Sequence, residues 1–170
     1  MNNVREIVTR AVLAKGRKIF KLSEIVTTSS NVTSVLGCWI INHEFETKLN
    51  GKSVDISGSF ENNIWYSSDD NSRTDVAKST TSYNGNIKVK EIVCDNISDH
   101  CDVIARVLQQ PTCTNAVITP DGIQVDIVFE ILVEVIGETK MMISVVNQPE
   151  NTEPVDDFEN EINENFLSEG

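Results

Sequence analysis

Val125-Asp126-Ile127-Val128-Phe129-Glu130-Ile131-Leu132-Val133-Glu134-Val135-Ile136 is the stretch whose reading decides the fold. Val125, Ile127, Phe129, Ile131, Val133 and Val135 fall on one side of a period of two. Asp126, Val128, Glu130, Leu132, Glu134 and Ile136 fall on the other. An extended chain sends successive side chains to opposite faces, so this is a strand with one apolar and one mixed face. The mixed face predicts a central strand or one at a contact.

The same alternation recurs upstream. Val54, Ile56, Gly58, Phe60, Asn62, Ile64 and Tyr66 share one parity, against Asp55, Ser57, Ser59, Glu61, Asn63, Trp65 and Ser67. Asn50-Gly51, Asn84-Gly85 and Asp121-Gly122 read as tight turns, because these pairs tolerate positive φ. Asp69–Thr74 reads as a polar loop. Together these predict an all-β fold, an antiparallel β-sandwich over residues 1–148. At the N-terminus Val4, Ile7, Val8, Ala11 and Val12 follow helical spacing, with Gly16 as a stop, which favours a short helix over a strand there.

Charge divides the chain further. Residues 1–22 carry Arg5, Arg10, Lys15, Arg17, Lys18 and Lys21 against Glu6 alone, whereas residues 150–170 carry eight acids and no Lys or Arg. The whole is −12 and the part before residue 150 is −4. The segment 149–170 is predicted to be a disordered acidic tail, too polar to offset its ordering entropy. Its Phe158, Ile162, Phe166 and Leu167 stand at helical spacing, as anchors for a partner's groove would. The basic Arg5, Arg10, Lys15, Arg17 and Lys18 are candidates for docking a neighbour's tail. Phe129, Ile131 and Val133 are candidates for strand pairing between copies. A solvated charged face and a buried core strand are the plainer alternatives.

The acidic balance argues against nucleic acid as a partner. No apolar run approaches the ~20 residues of a membrane span, and the N-terminus has no secretory apolar region, so neither membrane insertion nor export is expected. There is no G-x-S-x-G elbow, Walker A sequence or G-x-G-x-x-G fingerprint, and only two histidines, His43 and His100. No catalytic residue and no cofactor are assigned. Cys94, His100, Cys101 and Cys113 have a spacing that no common zinc motif uses, so no metal site is assigned either, and reduced thiols are the favoured reading. Asp69-Asp70-Asn71-Ser72 lacks the glycine and ligand pattern of a calcium loop. A carbohydrate- or protein-binding module is the alternative to a scaffold. Trp65 lies on the polar face of its strand and Trp39 could flank it.

Longer stretches carry a resemblance. Arg5-Glu6-Ile7, Ala14-Lys15-Gly16-Arg17-Lys18, Leu36-Gly37, Trp39-Ile40-Ile41-Asn42-His43 and Trp65-Tyr66-Ser67 take part in it. So do Val103-Ile104-Ala105, Val107-Leu108-Gln109-Gln110-Pro111, Cys113, Val135, Gly137-Glu138-Thr139-Lys140, Ile162-Asn163 and Phe166-Leu167. In these, and along nearly its whole length, the chain resembles the CotE family of outer spore coat morphogenetic proteins of endospore-forming bacteria. It departs from the family pattern at Cys38, where glycine is expected, over Phe20–Val35, and in a shorter and less acidic tail. The resemblance implies a structural scaffold without catalysis, made in the mother-cell cytoplasm and laid down in the spore coat. Its partners would be copies of itself, an inner coat morphogenetic protein and other outer coat proteins, with the tail as a docking segment.

Overall fold

A computed structural model describes residues 3–92, 97, 98 and 100–146. Seven strands follow one another with no helix among the described residues: β1 (Val4–Val26), β2 (Ser34–Asn50), β3 (Ser53–Ser68), β4 (Arg73–Lys88), β5 (Lys90–Glu91), β6 (Asp102–Thr119) and β7 (Gly122–Ser144). One sheet has the order β5-β1-β7-β6 and the other β2-β3-β4. The β1–β5, β2–β3, β3–β4 and β6–β7 ladders are all antiparallel. The chain divides into two compact units, Val8–Lys140 and a smaller one of Met1–Ile7 with Met141–Gly170. In the smaller unit the Val145 N–H donates to the Asn3 carbonyl at 2.9 Å.

Within Val8–Lys140 both sheets contribute to one core. Val54, Ile56, Phe60, Ile64 and Tyr66 come from β3, and Ile123, Val125, Ile127, Phe129, Ile131, Val133 and Val135 from β7. Both sets are the apolar parities of their strands, so the sequence alternation is the burial pattern. Burying each such side chain contributes roughly 1.5–3 kcal/mol. At the centre the Phe20 and Phe129 rings stack at 4.7 Å between centroids, and Phe60 meets Phe129 edge-on at 5.9 Å. β7 is central in its sheet, between β1 and β6.

Two local expectations fail. The N-terminal stretch is strand β1, not a helix. Val4, Val8 and Val12 share one parity and Ile7 and Ala11 the other, and a spacing of four is compatible with one strand face as well as with a helix turn. Pairing with β7, the strongest strand of the chain, decides for the extended form. Asn84-Gly85 is not a turn but lies inside β4, opposite Ser57 and Ile56. The other expected turns are found, at Gly51-Lys52, with φ 60° at Gly51, at Pro120-Asp121, and at Asp69–Ser72, where Asp69, Asp70 and Asn71 have positive φ. Short polar side chains tolerate that conformation by local hydrogen bonding. Here Asn71 Oδ1 accepts from the hydroxyls of Ser67 at 2.6 Å and Ser34 at 3.0 Å.

Candidate functional site

The outer face of the β2-β3-β4 sheet gathers the exposed aromatic residues. Residues paired across a ladder point to the same side of a sheet. Gly37 pairs with Trp65, Trp39 with Asn63 and Ile41 with Glu61, so both tryptophans share one face as diagonal neighbours. Trp39 is 55% exposed, Ile41 45% and Trp65 44%. A Cβ on Gly37 would stand 2.6 Å from the Trp39 ring, so the indole lies over this glycine, next to Trp65. Val76 and Lys78 continue the same face on β4.

A bulge between Ile41 and Glu44, with φ 53° at Asn42, shifts the parity of β2. Downstream of it, Glu44 and Glu46 face outward opposite Ser59 and Ser57. With Ser82 and Asn84 they line an open polar groove of about 470 Å³. The same bulge aims His43 inward. Its ring lies 5.3 Å from Phe45 and from Phe129, and Nε2 is 2.6 Å from the Tyr83 hydroxyl. Burial lowers the His43 pKa, against a hydrogen bond to Gln110 that raises it. Burial pushes the Tyr83 phenol up to about 12. Both groups are thus held neutral near pH 7.

The residues predicted for association are placed differently from one another. Phe129, Ile131 and Val133 are fully buried, because β7 is central and their parity is its core side. Their side chains offer no surface for pairing copies. Four of the five cations have partners within the chain. Arg10 pairs with Asp102, Lys15 with Glu134 at 3.1 Å and Arg17 with Glu130 at 3.7 Å. Lys18 Nζ donates to the Asn86 carbonyl at 3.2 Å and sits 5.3 Å from the Phe20 ring centroid. Arg5 lies on β1 in the smaller unit, exposed. Arg106 adds a second contact to Glu134 at 2.9 Å. Both cations hold the Glu134 carboxyl below the usual range, Lys15 most strongly. Phe158, Ile162, Phe166 and Leu167, with the whole 149–170 segment, lie outside the described residues.

Cys101 precedes β6 and Cys113 lies within it, so at ~3.3 Å per residue they are about 40 Å apart and cannot share a metal ion. Cys94 lies outside the described residues. Among the described residues no group of three or more His, Cys, Asp or Glu could hold a metal, and no helix is long and apolar enough to cross a membrane.

These features define a class: an all-β, antiparallel two-sheet protein whose most exposed large aromatics gather on one sheet face. The chain belongs to the CotE family, described as outer spore coat protein E, whose family model matches residues 3–169. Membership makes it a spore coat protein of sporulating cells. No curated protein and no solved structure matches the chain.

Proposed function

We propose that the chain is a non-catalytic scaffold of the outer spore coat. On this reading it binds copies of itself through the Trp39–Ile41–Trp65 face and recruits other coat proteins. The exposed pair Trp39 and Trp65 on one sheet face carries the reading. Tryptophan in water is costly, and covering it supplies much of the energy at protein interfaces. Family membership supports a coat role, and the two sheets facing one core suit a β-sandwich body. The protein is made in the mother-cell cytoplasm, and its partners include an inner coat morphogenetic protein. The acidic tail, through Phe158, Ile162, Phe166 and Leu167, docks clients, and many tails on one assembly raise the effective concentration for weak binders. The ion pairs within the chain weigh against the basic face of β1 as the tail's receptor.

Light scattering on the full chain tests the assembly. Wild type should form large particles and Trp39→Ser/Trp65→Ser should not; particles of unchanged size in the variant would reject the face as the contact. Deleting residues 150–170 should leave assembly intact and abolish client recruitment.

A second reading has its own observation. The polar groove of Glu44, Ser57, Ser59, Ser82 and Asn84 lies on the same sheet face as the tryptophans, a combination that suits a carbohydrate-binding surface. Glycan binding by the purified chain, lost in Trp65→Ala, would favour it over the scaffold.

A further inference from the structure

β2 and β6 are edges of different sheets, yet they lie against each other. No backbone ladder joins them among the described residues. Cys38 is on β2 opposite the buried Ile64, and Cys113 is on β6 opposite the buried Ile127. Paired residues point the same way, so both cysteines face inward across the seam. Both pack at the margin of the core, half-buried, and neither is in a disulfide. The β6 ladder is irregular on both sides of Cys113, between Gln109 and Thr112 and between Cys113 and Asn115, so this part of the strand has fewer bonds holding it to β7.

We propose that Cys38 and Cys113 form a cross-sheet dithiol that a peroxide oxidant converts to an intramolecular disulfide, closing the seam between β2 and β6. This goes beyond the scaffold reading and does not depend on it. Burial, then hydrogen bonding to Cys113 and its charge, push the Cys38 thiol up to about 12, so Cys38 enters as a thiol. The peroxide is therefore met first by the other sulfur of the pair. The Cys113 thiolate attacks one oxygen of hydrogen peroxide, the O–O bond breaks, hydroxide leaves, and a sulfenic acid forms. Cys38 sulfur then attacks the sulfenic sulfur. The S–O bond breaks, the S–S bond forms, and the Cys38 proton leaves with the hydroxyl as water. The released hydroxide takes up the proton that Cys113 gave to solvent on forming the thiolate, so overall two thiols are oxidised by two electrons and the peroxide is reduced to two waters. The Cys113 S–H donates to the Asn115 carbonyl at 3.2 Å, which orients its sulfur before reaction.

The test is hydrogen peroxide treatment of the full chain, alkylation of the remaining thiols and peptide mapping. The expected result is a cross-linked pair of peptides holding Cys38 and Cys113, within one chain on a non-reducing gel. It should persist in Cys94→Ser/Cys101→Ser and be absent in Cys38→Ser. The oxidised chain should melt roughly 5–10 °C above the reduced one, because the bridge closes a long loop. Alkylation of both Cys38 and Cys113 after peroxide, or cross-links only between chains or to Cys94 or Cys101, would overturn the proposal. The double variant carries the decision should a change at Cys38 disturb folding.

Discussion

The Phe20 ring occupies the place where a side chain on Gly85 would begin. A Cβ there would stand 2.5 Å from Cε1 and 3.0 Å from Cζ. Phe20 cannot retreat, because its other face is stacked on Phe129. Gly85→Ala is therefore expected to destabilise the fold by about 1–3 kcal/mol, as overpacking does. Urea unfolding checks this; a variant as stable as the parent would show that β1 and β4 pack less closely than described.

Phe129 separates a core role from an interface role. As a fully buried ring touching Phe20, Phe60 and Tyr83, it should cost about 3–5 kcal/mol when replaced by alanine. Were it a contact between copies, Phe129→Ala would shrink the assembly and leave the unfolding midpoint in place. Chemical denaturation alongside light scattering distinguishes the two.

His43 and Tyr83 set limits at both ends of the pH scale. The folded pKa of His43 is lowered, so below about 6.5 the unfolded chain takes up the proton first and stability falls with pH. The folded pKa of Tyr83 is raised from 10 to about 12, so between those values the unfolded chain loses its proton first and stability falls as pH rises. Melting temperature followed from pH 7 down to 5 should decline, and His43→Gln should flatten that limb. A slope unchanged by the substitution would assign it to other groups.

Glu134 contributes on the acid side. Its folded pKa lies below 4.5, so the stabilisation from Lys15 and Arg106 is present above that value and lost as pH falls through the lowered one. Glu134→Gln should lower the melting temperature at pH 7, and the difference from the parent should shrink as the pH is taken progressively below 4.5. A difference that stays the same over that range would mean that packing, not charge, holds this residue.

What the sequence makes legible is what depends on neighbours along the chain. The alternation of Val125–Ile136 and Val54–Tyr66 reports burial directly, since a strand's faces are set by parity alone. Asn84-Gly85 misleads because glycine serves two needs, positive φ in a turn and close approach of another chain segment, and here Phe20 makes the second. The stretch Val4–Val12 misleads because its four-residue spacing fits helix and strand alike. The tryptophan pair is half legible: Trp65 stands on a polar parity, but its nearness to Trp39 follows from the β2–β3 register. His43 was hidden by the bulge at Asn42, and the meeting of Cys38 with Cys113 depends on two edges brought together by the rest of the fold.

The sheet order also fixes a timetable for synthesis. β1 leaves the ribosome before the other described strands, but its long partner β7 begins at Gly122, 96 positions after β1 ends at Val26. At ~5–20 residues per second, that is about 5–20 s during which a strand whose Leu13, Phe20 and Val26 the finished fold buries waits without β7. The three-stranded sheet suffers no such delay, since β2, β3 and β4 are consecutive hairpins. A cell making many copies at once would meet β1 as a main opportunity for premature association.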